Sequence, residues 1–120
     1  MKNGTTHIKA YSMRAALIAA VLSLAACSVT GRVQGSVQNS DETFTGSVTG
    51  YLSRDGTLTV SSNKGAVCDG VWTFTAARIG EGVFKCSDGR TGPFRFVSTG
   101  ARGSGSGSLG GQMFTFTFER

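Results

Sequence analysis

The chain has 120 residues, among them 18 glycines and eight phenylalanines but a single proline and a single histidine, and its 12 Lys/Arg against seven Asp/Glu give a formal charge of +5. That length holds one small domain. Lys2, Lys9, Arg14 and the lone His7 all precede residue 27, whereas no acidic residue occurs before Asp41; beyond residue 26 the excess is only +2, too weak to argue for nucleic acid, and without histidine that part can build no Ser-His or Cys-His catalytic pair and lacks the commonest zinc ligand.

Ala15 to Ala26 is an apolar run of 12 residues, interrupted by Ser23 alone. A spanning helix needs about 20 such residues, so the run is too short to cross a bilayer. With Lys2, Lys9 and Arg14 as its positive flank it has the form of a signal peptide. It closes on Leu24-Ala25-Ala26-Cys27: a branched apolar residue, two small residues that let backbone enter a protease cleft, then a thiol, the best side-chain nucleophile for taking up a lipid.

Those four residues resemble the lipobox of bacterial lipoproteins. The resemblance implies a diacylglyceryl group on Cys27, cleavage between Ala26 and Cys27, and acylation of the new amino terminus. Ser28 follows the cysteine, where an aspartate would mark inner-membrane retention in enteric bacteria, so the implied address is the outer membrane, facing the periplasm, with exposure at the cell surface left open. Met13 offers a second start, because the fifteen residues from Met13 to Cys27 alone make a compact signal; both starts stay open. The expected organisation is a signal peptide at 1–26, a lipidated tether at 27–32 and a β domain at 33–120.

From there the chain reads as strands. Residues 42–53 alternate Phe44, Gly46, Val48, Gly50 and Leu52 on one side with Thr43, Thr45, Ser47, Thr49 and Tyr51 on the other, the period of a half-buried strand. Arg54-Asp55-Gly56 is a turn signal before "TLTV". "VCDGVWTF" puts Cys68, Gly70, Trp72 and Phe74 on one face; "GEGVFKC" puts Gly82, Phe84 and Cys86 together. Asp88-Gly89-Arg90 turns the chain into "GPFRFV", where Pro93 suggests an edge position or a strand start. Cys68 and Cys86 are expected to form a disulfide beyond the inner membrane, closing a loop whose crosslink is worth about 3 kcal/mol; two free thiols or a redox pair are the alternatives, without a Cys-x-x-Cys spacing to support the latter.

The last hairpin is the most explicit. "GSGSGSL", Gly110-Gly111 and "QMFTFTF" imply a two-residue turn, which sets Gly107, Gly105 and Gly103 opposite Phe114, Phe116 and Phe118. Ser106 then faces Thr115 and Ser104 faces Thr117. A glycine opposite an aromatic gives the ring room to lie across the ladder; the rival reading of "GSGSGS" is a flexible linker. Gly-x-apolar units recur, with Gly46, Gly70 and Gly92 spaced 24 and 22 residues apart. They resemble the Gly-rich MORN hairpin repeat, which implies a meander of stacked hairpins. The whole also resembles small Gly/Thr/Phe-rich lipoproteins of Gram-negative envelopes with no assigned activity.

The fold expected is therefore all-β, an antiparallel meander of six to eight short strands curling into a small barrel or roll. Asp55, Asp69 and Asp88 each precede a glycine, which is ordinary turn chemistry rather than a calcium loop, and Asp41-Glu42 is the one acidic cluster. No catalytic set, cofactor or metal site is expected. Arg90, Arg95 and Arg102 are the candidate partner-binding residues, since arginine suits phosphate and carboxylate, with Arg95 projecting away from Phe94 and Phe96. The function expected is a lipid-anchored, non-catalytic envelope module. It would be held to the membrane through the lipid on Cys27, with an envelope protein or polysaccharide as partner and no nucleic acid. The alternative is a periplasmic inhibitor or ligand binder, such as a lysozyme-inhibitor-like small barrel.

Overall fold

A computed structural model describes residues 28–120; the apolar run, the second start at Met13 and Cys27 lie outside them. Eight strands follow in chain order: β1 Val29–Val37, β2 Thr43–Gly50, β3 Asp55–Ser62, β4 Val67–Phe74, β5 Ile79–Cys86, β6 Thr91–Ser98, β7 Arg102–Leu109 and β8 Gln112–Glu119. Each pairs antiparallel with the next, and β1 pairs with β8, from Arg32 opposite Glu119 to Val37 opposite Phe114, so the meander closes into a barrel. The expected class is thus observed, at the upper strand count and as a barrel. Closure leaves no sheet edge, which removes the hazard of unpaired strand backbone.

The strict alternation of each strand sorts the residues. Threonine, serine and charged side chains face outward along most strands; Val33, Phe44, Leu58, Val60, Trp72, Phe84, Phe94, Phe96, Leu109, Phe114 and Phe116 are buried within. Strands of eight or nine residues with a polar outer face are the reverse of a transmembrane barrel, whose lipid-facing side is apolar.

Glycine is what lets the eight strands enclose so many large aromatic and aliphatic side chains. The last hairpin has the expected register, Gly103↔Phe118, Gly105↔Phe116 and Gly107↔Phe114, and Gly110 and Gly111 both take positive φ (58° and 84°), as a two-residue turn of this kind requires. A Cβ on Gly105 would sit 2.4 Å from the Phe116 ring. The same device recurs beyond that hairpin: Gly56 lies under Trp72, Gly80 under Phe96 and Gly82 under Phe94. "GSGSGS" is therefore strand β7, not a linker. The glycines spaced 22–24 residues apart occupy β2, β4 and β6, so the repeat unit is one pair of strands.

Four expectations need correction. Asp55-Gly56 is not the β2–β3 turn: the chain reverses at residues 51–54, with the Arg54 N–H donating to the Tyr51 carbonyl at 3.0 Å and Arg54 at φ 66°. Gly56 lies inside β3 because Trp72 occupies the space a side chain would need. Leu52 does not continue the inward face of β2, which ends at Gly50; it is 79 % exposed in that turn. Residues 29–32, expected within the tether, already belong to β1, with Val29, Thr30 and Gly31 paired to β2. Pro93 is on no edge; it is the third residue of β6, opposite Val83 and just before the β6–β7 pairing begins at Phe94.

Cys68 and Cys86 are direct cross-strand partners on β4 and β5 and are joined in a disulfide. It ties adjacent strands that already share a ladder, in a domain whose small size limits its core.

Candidate functional site

The barrel has two unlike ends. At one, the β1–β2, β3–β4, β5–β6 and β7–β8 connections meet over a packed interior in which the remaining void is about 10 Å³, no more than one water could occupy. Glu42, on the β1–β2 connection, is only 5 % exposed. The Arg90 guanidinium grips its carboxylate with two parallel bonds of 2.7 and 2.8 Å, and the Ser62 hydroxyl donates a third at 2.6 Å. Arg90 in turn donates through Nε to Asp88 at 2.8 Å and stands over the Phe44 ring. Bidentate geometry of this sort is the strongest form of ion pair. The bonds from Arg90 hold the Glu42 carboxyl down to about 2 against the opposing effect of burial, and Glu42 and Asp88 push the guanidinium further up. A carboxylate held this far down is no proton donor near neutrality; the cluster is a polar plug that closes the barrel.

The other end is open. Val48, Trp72, Phe74, Phe96 and Phe118 wall a cavity of about 230 Å³. Their rings pack edge to face, Trp72 against Phe74 and Phe96 at 5.1 Å each and Phe96 against Phe118 at 5.3 Å. The indole N–H of Trp72 donates to the Thr57 carbonyl at 3.2 Å, so its polar atom is satisfied within the wall. Gly50 and Gly56 leave the space the indole fills; a Cβ on Gly56 would lie 2.4 Å from it. Val29, Tyr51, Leu52, Ala101 and Arg120 form the rim. An eight-stranded barrel is just wide enough to be filled by side chains or to hold one small ligand. Here one half is filled and the other is not.

The three sequence-chosen arginines are not brought together. Arg90 is the half-buried cation of the plug, Arg95 stands on the outer face of β6 beside Glu81 at 3.8 Å, and Arg102 begins β7 at the open end, 3.6 Å from Glu119. Arg95 does project away from Phe94 and Phe96. Arg90, engaged on three sides, is not available to enter an acidic cleft of a partner. Asp55, Asp69 and Asp88 are likewise scattered: Asp69 accepts from Thr59 on the outer wall and Asp88 braces Arg90. Among the described residues no three metal-ligating side chains cluster. The cavity itself was missed by sequence reading. Its signal was Trp72, Phe74, Phe96 and Phe118 all lying near the same ends of their strands, which the register alone reveals.

A closed eight-stranded antiparallel barrel with a packed floor and an open apolar mouth defines the class: a small β-barrel. No family model matches the chain, and no curated protein does. Two solved structures share the fold, both designed proteins. One is a redesigned β-barrel, mFAP1, bound to DFHBI, with a TM-score of 0.61 and 11 % identity over 76 % of this chain and 92 % of that one. The other is a de novo fluorescence-activating β-barrel with a TM-score of 0.60 and 13 % identity over 76 % and 90 %. At such identity the likeness is one of fold.

Proposed function

We propose that the protein is a lipid-anchored, non-catalytic binding barrel of the bacterial envelope, held at the outer membrane through Cys27, whose open end takes up a small apolar ligand. One observation supports the binding reading above the rest: a mostly apolar cavity of about 230 Å³ in a barrel that is otherwise packed. At roughly 30 Å³ per small group, that is room for about eight heavy atoms, and a dry 150 Å³ apolar cavity already binds benzene. This chain shares its fold with a redesigned β-barrel that is bound to DFHBI. The anchor reading is supported by the lipobox resemblance and by Val29, two residues beyond Cys27, lying on the cavity rim.

The binding test is a titration with a fluorescent probe whose apolar part is a single aromatic ring, small enough for that volume. Saturable, blue-shifted binding is expected, and Val48→Trp, which fills the cavity, should abolish it. Equal binding by both proteins rejects the cavity as the site. The anchor has its own test. Labelled palmitate should enter the wild type and not Cys27→Ser, which should keep its leader and run larger; stable attachment needs at least two acyl chains, because one binds only marginally.

A further inference from the structure

The open end carries a charge pattern that the cavity does not use. Its three turns, at residues 51–54, 75–78 and 99–101, each deliver an arginine to the start of the strand that follows: Arg54 before β3, Arg78 before β5 and Arg102 as the first residue of β7. The three are spaced 24 residues apart, one hairpin each, so the barrel sets them around its mouth at like positions. Arg120 lies on the same rim, and Arg32 stands at the level of Glu119 on the adjoining strand. Five of the nine cations of residues 28–120 are thus gathered here, against Asp55, Glu81 and Glu119 among the side-chain carboxylates. The plugged end holds Asp41, Glu42 and Asp88 against Lys64 and Arg90. The net positive charge of the barrel therefore belongs to its open end.

Most of these guanidinium groups are not consumed by ion pairs. Among the described residues only Arg102 of this set has a carboxylate partner, and it is exposed. Arg54 lies over the Phe74 ring at 4.8 Å and donates to the Ala76 carbonyl at 3.0 Å, which holds it upright at the rim. Inside this ring the tip is apolar. Leu52 is 79 %, Tyr51 48 % and Val29 45 % exposed, a combination that costs hydration in bulk water. An apolar tip with a tyrosine, encircled by arginines, matches the layering of a bilayer surface: acyl boundary inside, phosphate level outside. The first described strand, β1, also begins at this end.

We infer that the open end is a membrane-docking face, on which the barrel stands mouth-down against an anionic phospholipid surface. Leu52 and Tyr51 enter the headgroup–acyl boundary, and Arg54, Arg78, Arg102 and Arg120 meet lipid phosphates. Four or more basic residues at a surface are enough for such recognition, and each contributes about a fivefold preference for anionic lipid. The inference rests on the envelope reading only for the membrane's address; the docking face does not need the lipid on Cys27. It also gives the cavity a ligand source, since a mouth held against lipid opens toward acyl chains.

The test uses the mature protein with vesicles of phosphatidylcholine alone or of equal parts phosphatidylcholine and phosphatidylglycerol. An environment-sensitive dye is placed at Leu52→Cys or, at the plugged end, Lys64→Cys, with brominated acyl chains as quencher. With phosphatidylglycerol, the dye at position 52 should be quenched and that at 64 should not. In Arg78→Ala/Arg120→Ala, both exposed positions whose loss leaves the core untouched, the docked-to-undocked ratio should fall about tenfold or more. High salt should act likewise. Failure of the anchor reading shows as protein that leaves neutral vesicles; the docking inference then stands if it still binds the anionic ones. Quenching at 52 that ignores vesicle charge, equal quenching at 52 and 64, or no association with anionic vesicles overturns it.

Discussion

At the scale of single residues, the barrel depends on pairs in which one member is defined by what it lacks. Gly105 is bracketed by the Phe116 ring at 2.4 Å and the Arg95 carbonyl at 2.5 Å from where a Cβ would stand, so neither a rotamer change nor a small backbone shift makes room. Gly105→Val should cost about 3 kcal/mol by overpacking. Ser106→Val, one residue on and facing solvent, should cost under about 1 kcal/mol. Denaturant midpoints of the two variants make the comparison, and equal midpoints would contradict the inward placement of Gly105.

The Glu42–Arg90 pair makes a second prediction, with a sign that can be worked out. Glu42 titrates about 2 when folded and near 4.5 when free, so the unfolded chain binds the proton first on acidification. The ion pair's contribution is complete above about pH 4.5 and is lost as pH falls toward 2; it amounts to about 3 kcal/mol. Arg90→Ala leaves a buried carboxylate without its cation and should cost about 3–5 kcal/mol at neutral pH. It should also reverse the acid response. With the partner gone, burial raises the Glu42 carboxyl above its free value, so the variant recovers stability as pH falls through that raised value. Urea unfolding of both proteins between pH 7 and pH 3 checks it, and parallel pH curves would remove the pair from the account of the plug.

At the scale of elements, β7 is the unusual strand. Its sequence, Arg102 to Leu109, alternates glycine and serine, and neither residue favours a strand alone. What holds it is the ladder on both sides, with Phe94 and Phe96 of β6 opposite Gly107 and Gly105, and the three phenylalanines of β8 opposite its glycines. Hydrogen exchange should therefore find the amides of Ser104 to Ser108 protected to the same degree as those of β8; exchange at random-coil rates would mean a linker after all. The disulfide acts on the neighbouring hairpin. Removing it as Cys68→Ala/Cys86→Ala should lower stability by about 2–4 kcal/mol without opening the barrel, because the β4–β5 ladder continues from Asp69 to Phe74 without it. Thermal melts with and without reductant measure the effect, and an unchanged melting temperature would leave the crosslink without a stabilising role.

At the scale of the molecule, the division between a plugged half and an open half follows from where large side chains fall along eight strands of similar length. Phe84, Phe94, Phe114 and Phe116 stack toward the plug. Trp72, Phe74, Phe96 and Phe118 pack edge to face along the wall of the other half and leave its cavity open. A ligand that enters this space binds the folded barrel alone. A saturating apolar probe, at a hundred times its dissociation constant, should thus stabilise by about 2.7 kcal/mol and raise the melting temperature of the wild type but not of Val48→Trp.

What the sequence determined by itself was local: period-2 alternation, the two-residue turn at Gly110-Gly111, and with it the full register of β7 and β8. In that hairpin the turn length leaves one pairing only, so each glycine's aromatic partner could be named in advance. The cysteine pair and the meander were legible for the same reason, as neighbours in the chain became neighbours in space. The turn after β2 was not, because Gly56 looks like a turn glycine until Trp72, sixteen residues on, is seen to need its empty side. Only the tertiary structure decided the rest. Glu42 and Arg90 are 48 residues apart and meet because closure of β1 on β8 brings the β1–β2 and β5–β6 connections over one end. Arg54, Arg78 and Arg102 form a ring because the same closure turns a spacing along the chain into a circle around a mouth, and neither the plug, the ring nor the cavity exists until the sheet has joined its own first strand.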